Sequence, residues 1–520
     1  MALPWLSRRG QQIVDESGTP VLLRGVGIGN WLLPEGYMWR FADNTATSPR
    51  QIEAVVESLV GAEQAERFWH EFRERYFTEE DVAAIAGYGF NSIRFAINSR
   101  IVLDEAGAFR EDGFALIERA VQWCRDHGLY VILDLHGAPG GQTGANIDDS
   151  LGWPDLFTDR RNEELTIALW FELARRYRDD PTIAMYDLLN EPIPGDHRAQ
   201  YTRPLAKLYK ELIAVIREVD KRHLITLEGT NWSNDWSMFT ELWDDQLVLQ
   251  FHKYWNAPDQ ASIQTYLDVR EQLDVPIWLG ETGENNTDWF QGNFGLADSL
   301  GIGWNFWPWK KLDTENSPAS IRKPHDWELV QAAAAGGEKP EPEVAQRILD
   351  EYLENIPYAA CEHRVEVVNA LFRRAPVRLA PEHASRAGGA RRAGAVEGFH
   401  EADAVTVGFV DTERSGAIDW ANTGKGAPQE SERLEVRLEA GEWVAYDVEL
   451  AEPGALTASV SGVASADARV TIAIDGTEAD TTDPGEALTA ARSGELTVGR
   501  HEVRVSVTAG SLALRALDVR

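Results

Sequence analysis

Short apolar runs recur along the first 310 residues, separated by stretches whose apolar positions have helical spacing. Eight runs are rich in β-branched and aliphatic residues, at 21–28, 91–97, 129–135, 182–189, 223–229, 247–252, 275–281 and 301–307. Between them lie amphipathic segments such as EDVAAIAGYG and ALIERAVQWCRDHG. Alternation of strands and helices predicts parallel pairing, and eight repeats predict an α/β fold of the closed (β/α)8 TIM-barrel class.

An open, doubly wound sheet is the competing arrangement for the same alternation. Such a sheet carries a glycine-rich phosphate loop after its first strand when it binds nucleotides, and no such loop follows the run at 21–28. The sequence therefore favours the closed barrel.

The pattern changes in the last third of the chain. After a helical stretch near 343–357, residues 373–395 are rich in Ala, Arg, Gly and Pro without strong periodicity, which predicts a linker. From 396 onward, short alternating runs separated by Gly, Pro and Asp predict a small all-β sandwich. The predicted organisation is a barrel domain over 1–372, a linker over 373–395 and a β-sandwich over 396–520.

Charge and composition exclude several classes of protein. The formal net charge of −34 argues against binding of nucleic acid or of an anionic membrane, because phosphates would repel so acidic a surface. Cys124 and Cys361 are far apart and lack zinc-type spacing, so neither a disulfide framework nor a metal cage is predicted. The sequence has no apolar stretch of membrane-spanning length and no signal-peptide pattern. We expect a soluble protein, cytoplasmic as the sequence stands or secreted if its start was trimmed.

Polar side chains stand where the apolar runs stop, and in a barrel the carboxyl ends of all strands meet at one mouth. These positions hold Arg94, Asp134, His136, Asn190, Glu191, His252, Tyr254, Glu281 and Trp307. Taken singly, a Glu after a strand is usually a loop carboxylate, a barrel His is usually structural, and Arg94 can pair with a core carboxylate. Independent scattering would rarely put so many polar residues at successive strand ends, so we expect one shared site.

Glu191 and Glu281 follow the fourth and seventh predicted strands, on opposite sides of the expected mouth. Glycoside hydrolysis needs such a pair, since one carboxyl protonates the leaving oxygen while the other attacks or stabilises an oxocarbenium-like transition state. A separation of about 5 Å gives retention of configuration, whereas a wider gap leaves room for water and inversion. The residues alone leave both outcomes open.

The neighbouring strand-end residues suit supporting roles. Arg94 and Tyr254 are expected to keep the carboxylate of the seventh strand ionised, because a cation and a hydrogen-bond donor favour the charged form. Asn190 is expected to donate to a sugar 2-hydroxyl. His136 and His252 are expected to bind substrate hydroxyls or to tune the acid.

Seven segments make residues 22–310 resemble glycoside hydrolase family 5, the cellulase family of clan A: RGVGIGNW, SIRFAI, LDLHGAPGG, LLNEP, FHKYW, LGETG and NFWPW, in that order. The resemblance implies that Glu191 is the acid/base and Glu281 the nucleophile of a retaining mechanism. It also implies that the cleavage subsite is lined by Arg94, His136, Asn190, His252, Tyr254 and Trp307.

Within that family, GNWLLPE and LHGAPGGQTGAN resemble the exo-β-1,3-glucanase branch. Its motifs have a Glu four positions after the Trp and an Asn after Gln-x-Gly, and Glu35 and Asn146 fill those places as expected substrate contacts. The chain departs from the branch in having GN for GG, an insertion between about 38 and 80, and NIDDS in place of the usual continuation.

The chain contains 19 Trp residues, whose rings either stack on sugar faces or fill seams between barrel and helices. We expect Trp307 to be a sugar platform. Trp31 is a second candidate substrate contact, with core packing as its alternative.

Residues 396–520 resemble carbohydrate-binding modules of the family 6 and 35 type, through EWVAYDVELAEPGALTASVSG, RVTIAIDG and GRHEVRVSV. The closing segment SLALRALDVR lacks the aromatic residue that helps to build the ligand cleft of such modules. Trp443 and Tyr446 are therefore expected in the core, and Trp420 and Asn422 in a sugar cleft. A sandwich that only supports the barrel is the alternative.

Together, residues and resemblance predict a retaining β-glycoside hydrolase for β-linked glucans or gluco-oligosaccharides, with no metal or organic cofactor. A mannanase, or an exo-glycosidase for a short β-glycoside, is the alternative on the same catalytic frame, because loops decide specificity. A sugar-binding barrel without catalysis is the alternative from another class, and the presence of both Glu191 and Glu281 disfavours it. Oligomeric state is not predicted.

Overall fold

A computed structural model of the chain describes residues 3–145, 147–400, 404–420, 430–478, 480–482 and 487–520. Contacts divide the chain into two compact units. One comprises Met1–Lys253, Thr265–Thr282 and Ile302–His363. The other comprises Tyr254–Gln264, Gly283–Gly301 and Arg364–Arg520.

The first unit is built around a closed barrel of eight parallel strands. A hairpin of β1 (Ser7–Arg9) and β2 (Gln12–Val14) precedes the barrel. The barrel strands are β3 (Arg24–Leu32), β4 (Ser92–Asn98), β5 (Tyr130–Gly137), β6 (Ile183–Asp187), β7 (Leu224–Glu228), β8 (Leu247–Lys253), β9 (Ile277–Gly283) and β10 (Gly303–Trp307). Each strand lies beside its neighbour in sequence, and β10 returns to pair with β3. The predicted (β/α)8 barrel is confirmed.

Helices follow most of the strands, as their apolar spacing predicts. They are α1 (Pro49–Val60), α2 (Ala62–Tyr76), α3 (Glu79–Gly87), α4 (Ser99–Val102), α5 (Glu111–Asp126), α6 (Arg160–Tyr177), α7 (Arg198–Val219), α8 (Gln264–Leu273), α9 (Thr287–Ser299), α10 (Trp327–Ala334), α11 (Pro342–Asn355) and α12 (Val365–Phe372). In α5, the buried side chains of Phe114, Ile117, Val121 and Cys124 recur at three- and four-residue intervals. That spacing forms one apolar stripe, which is the stripe that a helix buries against a barrel.

The insertion near 38–80 forms a 3-10 helix (Gly36–Trp39) followed by α1 and α2. Trp39 is its anchor: the indole Nε1 donates to Asn30 of β3 at 2.7 Å, and the ring lies 5.7 Å from that of Phe72 on α2. Aromatic pairs at such distances stabilise a core beyond the area they bury. The insertion is therefore packed onto the first barrel strand.

A small sheet completes the first unit, with strands β11 (Lys310–Leu312), β12 (Ala319–Ile321) and β13 (Glu362–His363). Cys124, in α5, and Cys361 are both buried free thiols. Among the described residues, every helix is too short or too polar to cross a membrane.

The second unit contains two antiparallel sheets that share one apolar core. One sheet has β14 (Val377–Leu379), β16 (Thr406–Phe409), β17 (Leu434–Glu439), β19 (Thr457–Ala464), β22 (Asp480–Thr482), β23 (Thr489–Arg492) and β25 (Ser511–Val519). The other has β15 (Arg386–Gly388), β18 (Trp443–Leu450), β20 (Arg469–Ile474), β21 (Thr477–Glu478) and β24 (Gly499–Ala509). Inward residues of both sheets, such as Val436 and Val505, alternate with outward ones. The predicted all-β fold is confirmed.

The predictions for this region compare with the structure as follows. The predicted linker, 373–395, is corrected: β14 pairs with β25 and β15 pairs with β18, because the short runs VRL and RAG supply edge strands that a composition rich in Ala and Arg hides. Tyr446 is buried, as expected of a core residue, and its hydroxyl donates to Pro381 O at 2.7 Å. Trp420 packs 5.0 Å from Phe399, ring to ring. Asn422 lies outside the described residues.

Candidate active site

Arg94, in the middle of β4, is the centre of a buried polar cluster at the carboxyl ends of the barrel strands. Its side chain is fully buried, and its guanidinium donates to Asp187 Oδ2 at 2.9 Å, to Glu281 Oε2 at 2.7 Å and to Asn190 Oδ1 at 2.7 Å. Glu228 Oε1 lies 3.4 Å from the same guanidinium. Five donors in a rigid fork can satisfy several acceptors at once, which explains why an Arg occupies this position.

The two predicted catalytic carboxyls lie in this cluster. Glu191 follows β6 and Glu281 lies within β9, and His252 of β8 stands beside both. His252 Nδ1 is 2.7 Å from Glu191 Oε1 and 4.0 Å from Glu281 Oε1. One oxygen of each carboxyl and one nitrogen of His252 lie within 4.8 Å of one another. The structure therefore brings together two carboxyls at a distance that one glycosidic bond can span.

Glu191 has an uncommon backbone conformation, with φ of 42°. A side chain with a Cβ rarely adopts a left-handed φ, and such strain persists where surrounding contacts enforce it. Here the Glu191 N–H donates to Glu228 Oε2 at 2.7 Å, and Gln142 of the loop after β5 donates to Asn190 O at 2.9 Å. These contacts fix the turn after β6 and so the direction of the Glu191 side chain.

His136 and Asn190 form a second chain of contacts. His136 Nδ1 is 2.7 Å from Asp134 Oδ2, and Asn190 Nδ2 is 3.2 Å from His136 Nε2. Burial lowers the pKa of His136 to about 3, and the charge of Arg94 adds to that effect. A neutral His136 that donates from Nδ1 accepts at Nε2, which agrees with the Asn190 amide donating there and presenting its oxygen to Arg94.

Burial also changes the carboxyl groups. It raises the pKa of Asp134 to about 7, against the opposing charge of Arg94. It raises the pKa of Glu191 above its ordinary value, against the hydrogen bond and charge of His252. For His252, the neighbouring Glu228 and Glu281 outweigh burial and hold the pKa well above the ordinary value. The cluster thus favours a cationic imidazole beside a carboxyl that retains its proton.

Glu191, His252 and Glu281 also have the donor types of a metal site. A histidine must be neutral to bind a metal ion, because the ligating lone pair cannot carry a proton. The raised pKa of His252 favours the protonated ring, and Arg94 already binds Glu281. The charge states of these three side chains therefore suit metal ligation poorly.

Trp307, at the end of β10, lies over the cluster. Its ring stacks on His136 at 5.2 Å with an interplanar angle of 11°, and its Nε1 is 2.9 Å from Tyr37 Oη. The ring also lies against two glycines of β3: a Cβ at Gly27 would be 2.4 Å from Trp307 Cε3, and one at Gly29 would be 2.8 Å from Trp307 Cζ2. The glycines of RGVGIGNW thus leave room for the indole.

The other predicted residues lie in different surroundings. Glu35 is buried directly before the 3-10 helix Gly36–Trp39. Tyr254 begins the second unit, where its ring lies 6.1 Å from that of Trp255. Asn146 lies outside the described residues.

Trp31 is corrected from a substrate contact to a core residue. Its side chain is buried, its Nε1 donates to Arg73 O at 2.9 Å, and its ring packs 5.0 Å from Phe77 and 5.6 Å from Phe95. The ring therefore fills the seam between β3 and β4 and the helical layer, which was the alternative that the sequence left open.

Sequence reasoning missed Asp187, Glu228 and Gln250. Asp187 and Glu228 end β6 and β7, and Gln250 lies in β8, where its Nε2 donates to Glu228 Oε1 at 2.8 Å. The strand-end rule that identified Glu191 applies equally to the Asp of MYDLL and the Glu of ITLEG. The signal was thus present in the sequence.

Comparison with known proteins identifies one family and several relatives. A family described as cellulase, glycosyl hydrolase family 5, matches residues 54–313, which is half of the chain. A β-xylosidase of Phanerodontia chrysosporium is 34% identical over 304 residues, which cover 54% of this chain and 62% of that protein. Endoglucanase C of Acetivibrio thermocellus is 25% identical over 335 residues, which cover 52% of this chain and 94% of that protein.

A probable glucan 1,3-β-glucosidase A of Emericella nidulans is 30% identical over 279 residues, covering 50% of this chain and 66% of that protein. Of the β-xylosidase named above, the chain covers less than two thirds of the length. A crystal structure of endogalactoceramidase has a TM-score of 0.49 at 16% identity, with 99% of this chain and all of that chain covered. The match to the family over residues 54–313 confirms the motif-based prediction, and the chain belongs to glycosyl hydrolase family 5, the cellulase family.

Proposed function

We propose that the protein is a retaining β-glycoside hydrolase that uses Glu191 as acid/base and Glu281 as nucleophile. One observation carries the proposal: an oxygen of each carboxyl and the Nδ1 side of His252 lie within 4.8 Å of one another. Retaining glycosidases hold their two carboxyl groups about 5–5.5 Å apart, whereas inverting ones need about 6.5–9.5 Å to admit water.

In the first step, Glu281 attacks the anomeric carbon and Glu191 gives its proton to the glycosidic oxygen as that bond breaks. Arg94 supports this step, because a guanidinium at 2.7 Å favours the ionised nucleophile. Burial supports it at the other carboxyl by favouring the protonated acid. The products are a covalent glycosyl-enzyme and the departed alcohol.

In the second step, the now ionised Glu191 takes a proton from water, and the oxygen of that water attacks the anomeric carbon. The bond to Glu281 breaks and its carboxylate is restored, so configuration at the anomeric carbon is retained after two inversions. We assign to Asn190 the hydrogen bond to the sugar 2-hydroxyl. In this role its amide, which contacts His136 Nε2 at 3.2 Å, turns towards the sugar.

For the substrate, we propose β-linked glucans or gluco-oligosaccharides. The relatives named above are a β-xylosidase, an endoglucanase and a probable glucan 1,3-β-glucosidase, and xylose and glucose share the same equatorial hydroxyls. Glu35, Asn146 and Tyr254 are proposed as further substrate contacts, and Trp307 as the sugar platform. A short β-xyloside is the second candidate, because the β-xylosidase has the highest identity of the three relatives.

The proposal is tested by hydrolysis of β-1,3-, β-1,4- and β-1,6-glucans, mannan and aryl β-glucosides and β-xylosides, with proton NMR of the first product formed. Retention releases the β-anomer first. First release of the α-anomer would show inversion and overturn the double-displacement assignment, and inactivity on every β-glycoside would overturn the function.

We also propose that the β-sandwich binds carbohydrate, on its resemblance to binding modules and on the half-buried Trp420. Sugar faces stack on such rings. Pull-down of the full chain by insoluble glucan should weaken in Trp420→Ala at a temperature where circular dichroism shows the variant to be folded. Equal binding by both proteins would leave only a supporting role for this domain.

A further inference from the structure

Glu228 is a buried carboxyl that none of the steps above uses. We propose that Glu228 is a positioning residue for the acid/base: one of its oxygens holds the backbone of Glu191, and the other provides the counter-charge that keeps both nitrogens of His252 protonated, so that the ring donates to Glu191. The catalytic consequence of this inference rests on the proposed function, whereas the contacts themselves do not depend on it.

The first oxygen acts on the backbone. Glu228 Oε2 accepts the Glu191 N–H at 2.7 Å, at the residue whose φ is 42°. An ionised acceptor makes a stronger hydrogen bond than a neutral one. The contact thus supports a backbone conformation that the Glu191 side chain disfavours, and this conformation aims the carboxyl at Glu281.

The second oxygen acts on His252. Glu228 Oε1 lies 3.3 Å from His252 Nε2, while His252 Nδ1 lies 2.7 Å from Glu191 Oε1. One imidazole therefore stands between two carboxyls, one on each ring nitrogen. With a proton on each nitrogen, the ring donates to Glu191 from Nδ1 and presents its positive charge to Glu228 at ion-pair distance from Nε2.

The groups around Glu228 favour the carboxylate. Besides His252, it faces Arg94 of β4 at 3.4 Å, the amide of Gln250 of β8 at 2.8 Å and the Glu191 N–H. All of these are donors. Burial, aided by the charge of Asp187 on β6, raises the pKa of Glu228 to about 8, and the cationic His252 opposes that rise.

A proton on Glu228 can be accommodated only towards His252, because the other directions are occupied by N–H donors. A proton there would turn the ion pair into a neutral pair, whereas the ion pair leaves both Glu228 oxygens as full acceptors for the N–H groups of Gln250, Arg94 and Glu191. The groups facing His252 are Glu191, Glu228 and Glu281, all acidic.

Glu228→Gln is the informative change, because the amide has nearly the same shape. Its oxygen can still accept the Glu191 N–H, but its NH2 then meets the donors Gln250, Arg94 and His252. We expect His252 to lose its second proton at a lower pH. Glu191 then loses the nearest cation, so its pKa rises, and the alkaline limb of kcat/KM moves to higher pH. We expect kcat to fall by about 100-fold, the size of loss that a misplaced catalytic group causes.

Tyr209→Phe is the matched control. The Tyr209 hydroxyl donates to the backbone oxygen of Glu228 at 3.1 Å, so this variant removes a buried hydrogen bond of the same residue and leaves its carboxylate in place. A merely structural role for Glu228 predicts similar pH profiles in both variants. The proposal predicts a shifted alkaline limb only in Glu228→Gln.

The charge state of His252 is measured directly by 15N NMR of the full chain labelled at histidine, with His252→Gln to assign the signal. The proposal expects a doubly protonated ring in the wild type at pH 7 and a neutral one in Glu228→Gln. A neutral ring in the wild type, or an unchanged ring in Glu228→Gln, would overturn it. The wild-type spectrum decides even if the variant does not fold. Inactivity of the wild type would count against the proposed function and leave this measurement intact.

Discussion

Arg94 Nη1 lies 2.7 Å from Glu281 Oε2, and the side chains of the two residues are 0% and 6% exposed. Screening by water is weak at such a site, so the attraction between guanidinium and carboxylate is stronger than at the surface. The same guanidinium also binds Asp187 and Asn190, so one cation on β4 joins the ends of β6 and β9. This contact favours the charged form of the Glu281 carboxyl and fixes its direction, as the proposed role of nucleophile requires.

Glu281→Gln should abolish turnover and leave the fold intact. The amide retains the size of the side chain and still accepts from Arg94, but it cannot attack the anomeric carbon. We expect kcat to fall by about four orders of magnitude or more, as when other active-site nucleophiles are removed. Activity on an aryl β-glucoside and a circular dichroism spectrum check both parts. Wild-type turnover in this variant would exclude Glu281 as nucleophile.

Glu191→Ala should affect substrates unequally. A leaving group that is already a weak base departs without protonation, whereas an alkoxide does not, and general acid catalysis contributes about 10²–10⁴-fold. We expect kcat/KM for cello-oligosaccharides to fall by that factor and kcat/KM for a dinitrophenyl β-glucoside to fall much less. Equal losses for both substrates would show that Glu191 is not the acid.

Asp134→Asn should change how stability depends on pH. Burial raises the pKa of Asp134 to about 7 from an ordinary value near 3.8, so the folded protein holds a proton that the unfolded chain releases. Between about pH 4 and 7 the folded state binds more protons, and its stability from this group falls as pH rises. An asparagine does not titrate, so Asp134→Asn lacks this fall in stability with rising pH.

The free energy of unfolding of Asp134→Asn, relative to wild type, should therefore increase from pH 4 to pH 7 and level off above. Urea unfolding at a series of pH values measures it. Asp104→Asn is a surface control, since Asp104 lies in a turn, exposed to solvent. A parallel pH dependence in the two variants would contradict the raised pKa.

The sequence predicted the barrel and most of the Arg94 cluster for one physical reason. Each barrel strand is an apolar run, so its first polar residue marks the carboxyl end, and closure brings those ends together. The rule was applied to Glu191 and Glu281 and left out Glu228, whose importance lies in contacts with His252 and the Glu191 backbone that only the folded chain reveals.

The failures have equally specific causes. Trp31 lies near the carboxyl end of β3, but periodicity does not determine whether its ring turns towards the mouth or packs against Phe77 and Phe95, as it does. The segment 373–395 contains strands of three residues, which are too short to alternate visibly. Their pairing with β25 and β18 is long-range and has no local sequence signal.

Gly27→Ala should displace the Trp307 ring, because the added Cβ would lie 2.4 Å from Cε3, well inside van der Waals contact. Overpacking of this kind costs about 1–3 kcal/mol of stability. Since the ring stacks on His136, which contacts Asn190 beside the proposed catalytic carboxyls, we also expect kcat/KM to fall by about tenfold, an effect of misplacement. Gly87→Ala is the control, as a Cβ there meets open space at the end of α3 and should be neutral or stabilising. Thermal unfolding and aryl-glucoside kinetics on both variants test this packing, and equal behaviour of the two would show that the ring does not depend on Gly27.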